Sequence, residues 1–127
     1  MSYVYKDAPK LERQPKVGNG DCVALVRYYA DVPQHRAWKE GAPVMGNQMI
    51  KSGTAIATFV NGKYPNGIHG NHAAFFLRRG IDGFWVIDQW KSTKDIRARY
   101  LRCNPGKNRD GTWEHASDNA CAFSVIE

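Results

Sequence analysis

Asn19-Gly20-Asp21-Cys22-Val23-Ala24-Leu25-Val26-Arg27-Tyr28-Tyr29-Ala30 is the stretch on which the reading of the fold turns. Cys22, Leu25, Val26, Tyr29 and Ala30 fall at i, i+3, i+4, i+7 and i+8, which is one face of an amphipathic helix. Asp21 stands at the N-cap, where its carboxylate can accept free amide hydrogens of the first turn. Gly18 and Gly20 break the chain just ahead of it. The pattern therefore starts a helix at Cys22 and puts the thiol in its first turn, at one end of the buried face. Taken alone, a cysteine in such a place is more often core than chemistry.

Downstream, residues 31–53 carry Pro33, Gly41, Pro43, Gly46 and Gly53, with a short helix expected near Asn47–Lys51. Thr54 to Val60, His72 to Leu77, Phe84 to Trp90, Ile96 to Cys103 and Cys121 to Ile126 read as strands. Asn61 to Gly70, Arg78 to Gly83 and Asn104 to Ala120 read as loops or turns. One helix followed by an antiparallel meander predicts an α+β domain with the helix packed on one face of the sheet. Residues 1–127 fit one domain, with 1–18 as an irregular lead-in that wraps it.

Hydrophobic residues make up 43% and charged residues 24%, an ordinary globular balance. The net charge of +6 favours anionic partners: nucleic acid, anionic lipid or an anionic wall polymer. The basic residues are dispersed, so charge does not choose among them. No apolar run is long enough to span a bilayer. Lys6, Lys10, Arg13 and Lys16 come without the apolar block of a secretory signal. Of the three cysteines, Cys103 and Cys121 flank one polar stretch, while Cys22 stands far upstream. A Cys103–Cys121 bridge would contribute about 3 kcal/mol in the chain-entropy picture and imply an oxidising compartment. The alternative is a pair of buried free thiols.

A thiol attacks only as its thiolate. A helix N-terminus favours the anion, and a nearby histidine can take the proton. Cys22 has the first feature, and its own amide is a natural oxyanion donor. His72, at the start of a strand after a Gly-rich loop, is the candidate base. His69 competes from within the loop, and His35 and His115 lie in polar, irregular surroundings. The third member should hold the imidazole tautomer, and Asp88 on the next strand is placed to do so. A hairpin folding about Gly80 sets residue 72 opposite 88 and 76 opposite 84. Asp82-Gly83 is a competing turn that would shift this register. Gln89 points to the other face, so Asp88 and Gln89 cannot both orient His72.

The order of these pieces carries a resemblance. Asp21 to Tyr28 resembles the nucleophile motif of NlpC-type and CHAP-type cell-wall peptidases, which are papain-like, and His72 to Leu77 resembles their histidine-then-strand motif. Asp88 falls where a CHAP domain has its acidic third residue. The match spans about residues 19–90, with Val23-Ala24 in place of Ser-Gly and Trp90 in place of the CHAP asparagine. More closely, Gly53 to Phe59, Asn71 to Ala74 and Asp88 to Trp90 look like small bacterial type VI secretion amidase effectors.

The resemblance implies a papain-like fold and a peptidoglycan amidase or endopeptidase. Such an enzyme cuts stem-peptide amide bonds through a Cys22-His72-Asp88 triad and a thioester. It implies no cofactor and no metal; His69-x-x-His72 lacks a second ligand cluster for zinc. It also implies delivery into the periplasm of a target bacterium, which reconciles a missing signal peptide with a disulfide. A cognate immunity protein would plug the Cys22 cleft. Neither nucleic acid nor membrane insertion belongs to this reading. Two others compete with it: a cysteine protease or deamidase toxin acting on proteins, and a basic nucleic-acid-binding module. The second lacks any Gly-aromatic nucleic-acid signature.

Overall fold

The computed structural model describes residues 2–65 and 70–127. Helix α1 (Cys22–Ala30) starts where the apolar spacing begins. Asp21, extended at φ −77° and ψ 157°, caps it, and Asp31 ends it in a left-handed conformation at φ 58°. Six strands follow: β1 (Glu40–Pro43), β2 (Ala55–Thr58), β3 (Ala73–Arg79), β4 (Gly83–Asp88), β5 (Arg97–Arg102) and β6 (Phe123–Ile126). They form one antiparallel sheet in the order β1-β6-β2-β3-β4-β5. No helix of the described residues is long and apolar enough to cross a membrane.

The sheet is buried on both faces, which is why β2 is buried at every position. On one side Leu25 and Val26 of α1 pack with Ala55, Ala57, Ala73, Phe75 and Ile87. The alanines leave room for the helix to lie close over β3. On the other side Ile56, Ala74, Phe76, Phe84, Val86, Leu101 and Phe123 form a second core. The lead-in wraps the helix side and buries Ala8 and Leu11. Backbone bonds tie it down: Ala55 N–H to Tyr3 O at 2.8 Å, and Arg13 N–H to Ile96 O at 2.7 Å. Gly53, at φ +92°, lies against this strap, and a Cβ there would strike the Tyr5 carbonyl.

Three expectations need correction. The helix expected near Asn47–Lys51 is a run of turns, because the Asn47 side chain accepts the Met49 amide at 2.9 Å and competes with helical bonding. Strand β1 was hidden by Gly41 and Pro43; it is an edge strand, where proline is tolerated, and its pairing with β6 is irregular. The last strand begins only at Phe123, because Ala120–Ala122 forms a 3-10 turn in which the Asn119 side chain accepts the Cys121 amide.

The β3–β4 register differs from the expected one, and the difference places the site. Gly80 N–H bonds Gly83 O at 2.9 Å, which closes a two-residue turn and sets Arg79 opposite Phe84 and Arg78 opposite Trp85. Continued unbroken, that pairing would set Asp88 opposite Phe75, on the face away from residue 72. A bulge between Phe76 and Arg78 slips the pairing by one residue, so that Phe76 meets Val86 and Phe75 meets Ile87. Residue 72 is therefore not opposite 88, nor 76 opposite 84. Asp88 comes in line with Ala74 and is the diagonal neighbour of His72 on the same face.

Candidate active site

Cys22 is 4% exposed and lies in the first turn of α1. Its Sγ is 3.7 Å from the hydroxyl of Tyr64, a buried residue from the segment after β2. Burial, then the charge and hydrogen bond of Cys22, push the Tyr64 phenol above its ordinary range. Tyr64 is thus kept as a neutral O–H that can donate to a thiolate. The Asp21 carboxylate accepts the Cys22 N–H at 2.6 Å. That amide is the expected oxyanion donor, so in this state its hydrogen is already taken. A substrate oxygen can receive it only after Asp21 rotates away.

His72 stands one residue ahead of β3. Its amide donates to Thr58 Oγ1 and its carbonyl accepts from the Thr58 amide, both at 3.0 Å, which fixes its backbone to the end of β2. The ring lies edge-on between Trp90 at 5.9 Å and Phe123 at 6.4 Å. Nε2 is 2.7 Å from Asp88 Oδ2. Nδ1 is then the nitrogen left to face Cys22, whose interaction with the ring helps to raise the imidazole. Burial pulls the imidazole down from 6.5, but hydrogen bonds to Asp88 and Cys22 and their charges outweigh it and raise it to about 9. Such a histidine is held as imidazolium at neutral pH, as a thiolate–imidazolium pair requires.

Asp88 is fully buried at the end of β4, and its Oδ2 also accepts from Arg99 Nε at 2.7 Å. Gln89, beside it and equally buried, serves the opposite face. Its Nε2 donates to Val17 O at 3.0 Å and Asp21 O at 2.7 Å, and its Oε1 accepts from Val17 N–H at 3.1 Å. The end of β4 therefore holds the imidazole with one residue and the turn before the nucleophile with the next. Gln89→Leu leaves three backbone groups without their partner, at about 1–3 kcal/mol for each one buried. The expected outcome is a melting temperature lower by several degrees and slower alkylation of Cys22, read by calorimetry and timed iodoacetamide labelling.

Two concavities border residues next to Cys22 and His72, though neither is lined by those two themselves. One, of about 580 Å³, is lined by Asp21, Arg27, Tyr28, His35, Tyr64 and Asn71 among others. The other, of about 550 Å³, has Thr58, Asn71, Trp113, Ser117 and Asp118 in its wall. Asn71, next to His72, borders both. Cys103 and Cys121 are joined in a disulfide with Cα atoms 4.9 Å apart, and it closes the segment that carries Ser117 and Asp118. Cys22 is the free cysteine. His35 packs on Tyr64 at 5.6 Å, and His115 is exposed beside Glu114. His69 lies outside the described residues.

Sequence reasoning missed Tyr64 and Arg99. Tyr64 is the one aromatic of its Gly-rich loop. Arg97 is paired with Asp88 in the β4–β5 register, and Arg99 follows it on the same face. A search for a cation against the buried carboxylate would have found the pair.

A helix bearing a thiol, packed on an antiparallel sheet bearing the imidazole and carboxylate, defines the class: the fold is papain-like α+β. A solved structure of type 6 secretion amidase effector 2 (Tae2) is similar, with TM-score 0.94 and 46% identity over 98% of this chain and 94% of that one. The type VI secretion amidase effector 2 protein of Salmonella typhi is 47% identical over the full length of both chains. Domesticated amidase effector 2 of Ixodes scapularis is 38% identical over 72% of this chain and 65% of its own. Residues 7–116 match the family described as Dae2, domesticated amidase effector 2, and the chain belongs to that family.

Proposed function

We propose that this protein hydrolyses amide bonds in the peptide stems of peptidoglycan, with Cys22 as nucleophile, His72 as base and acid, and Asp88 orienting His72. Membership of an amidase effector family makes it a hydrolase of amide bonds. The observation that supports the finer reading is the 2.7 Å contact of His72 Nε2 with Asp88, which leaves the other ring nitrogen for the thiol. With the Cys22 proton already held by His72 as imidazolium, the thiolate attacks the stem carbonyl. As the carbonyl becomes tetrahedral, Asp21 releases the Cys22 amide and its hydrogen meets the oxyanion. His72 then protonates the leaving amine. Water, deprotonated by His72, attacks the thioester, and the acid and free thiol are released.

The two concavities that share Asn71 offer a seat for each half of an extended peptide, and the charge of +6 suits an anionic wall. In this reading the protein is delivered as a type VI effector, acts in the periplasm of a target bacterium, and is blocked by an immunity protein seated over the concavity lined by Asp21 and Tyr64. Digestion of purified peptidoglycan followed by muropeptide mass spectrometry is the test. A new stem amine and carboxyl, absent with the Cys22→Ala variant, are expected. Intact muropeptides together with cleavage of protein substrates would shift the assignment to a protease or deamidase toxin.

A further inference from the structure

We propose that Arg99 is a positioning residue of this site: it fixes the Asp88 carboxylate against His72 and, as a buried counter-charge, lets the His72–Asp88 pair give up its proton. The guanidinium is held at three corners. Nε donates to Asp88 Oδ2 at 2.7 Å, Nη1 to Asp118 Oδ1 at 2.6 Å, and Nη2 to the Ser117 carbonyl at 3.1 Å. Its charged carbon lies 4.9 Å from the centre of the Trp90 ring, the same ring that covers His72. A planar fork pinned at three acceptors and against a ring has one orientation, so the oxygen it grips has one orientation too. That oxygen is the one that accepts from His72.

Arg99 also acts through its charge. The groups facing the pair are Cys22 from α1, Tyr64 from the segment after β2, Arg97 and Arg99 from β5, and Asp118 from the turn before β6. Arg97 lies opposite Asp88 in the register but sits over Trp90 at 5.8 Å, while Arg99 makes the contact. When the imidazolium passes its proton to a leaving amine, Asp88 is left as a fully buried anion. Arg99 is the cation in contact with it at that moment. Take it away, and the pair keeps its last proton to higher pH, whichever of the two residues carries it.

The inference rests on the reading of Cys22, His72 and Asp88 given above, and the test separates the two. Nitrogen NMR of the imidazole rings follows His72 titration, and peptidoglycan turnover is measured across the same pH range. Parent, Cys22→Ala, Arg99→Gln, Arg99→Lys and Asp118→Asn are compared, each with its melting temperature. Arg99→Gln is expected to move the alkaline limb of turnover and the His72 titration up by about one pH unit or more. Its turnover at neutral pH falls about ten-fold or more, with little change in the peptidoglycan concentration giving half-maximal rate. Arg99→Lys restores the limb but only part of the rate, because a point charge cannot also hold Ser117 and Asp118. Asp118→Asn keeps the limb in place, since the Asp88 contact survives.

An Arg99→Gln variant with lowered melting temperature but an unmoved limb overturns the proposal. If that variant does not fold, a displaced limb in Arg99→Lys does the same. Turnover that survives in Cys22→Ala sinks the underlying reading instead.

Discussion

Cys22→Ala is expected to remove amide hydrolysis, a loss on the order of a million-fold for a nucleophile, and to leave the protein folded. Cys22 is one small member of a core that also holds Leu25, Val26, Phe75 and Ile87, and alanine at the first turn of α1 keeps helix propensity. The Asp21 cap uses the backbone of residue 22 and is unaffected. Cys22→Ser is the sharper variant. It keeps a hydroxyl beside His72 and Tyr64, yet serine is far harder to ionise than a thiol, so it is expected to be nearly as inactive. A packing role would predict the opposite order, with serine close to the parent. With Cys103 and Cys121 joined, Cys22 is the free thiol, so iodoacetamide labelling reports on it alone. Labelling is expected to be fast in the parent and slowed in His72→Gln. Hydrolysis persisting in both Cys22 variants would remove the cysteine from the mechanism.

The helix and the order thiol, imidazole, carboxylate were legible because their signals are local. The spacing of Cys22, Leu25, Val26 and Tyr29, with Asp21 ahead of it, is complete within a dozen residues. His72 and Asp88 were placed on one face by strand parity, and that holds, but for a reason the pattern does not contain. The Gly80–Gly83 turn alone would have put them on opposite faces; the bulge at Leu77 brings them back. A bulge is one residue of slip, and nothing in the alternation of apolar residues announces it. The oxyanion donor was read from helix position and turned out to be engaged by the cap at 2.6 Å, a competition that only coordinates reveal. Tyr64 and Arg99 arrive from a loop and a neighbouring strand, so their link to the site is long-range. Gln89 was correctly excluded from His72 by parity, and its use as the clamp of Val17 and Asp21 lay beyond what periodicity can say.

Asp88→Ala is expected to cost both stability and rate, and the two losses can be taken apart. The variant leaves the His72 imidazolium and Arg99 without the carboxylate they share, and breaking a buried pair from one side costs about 3–5 kcal/mol. Burial, which lowers the imidazole, then acts on His72 with only Cys22 to oppose it. The titration therefore falls, the imidazolium is lost at neutral pH, and turnover drops by about a thousand-fold or more. The pH dependence of stability gives a second readout. In the parent His72 is raised from 6.5 to about 9 on folding. Its contribution is thus complete below 6.5 and is lost as pH rises through 9, by an amount on the order of 3 kcal/mol. In Asp88→Ala that alkaline decline is expected to flatten. Asp88→Asn keeps a hydrogen-bond acceptor without the charge, so it should hold the ring in place and lose less rate than alanine. The decisive comparison is Asp88→Leu combined with Arg99→Met. Replacing both partners by apolar side chains removes the unpaired buried charge, so the melting temperature should recover most of what Asp88→Leu alone loses. Turnover should not recover, because His72 still has nothing to hold its Nε2. A double variant that regains rate along with stability would show that Asp88 serves the core rather than the imidazole, and would strike it from the site.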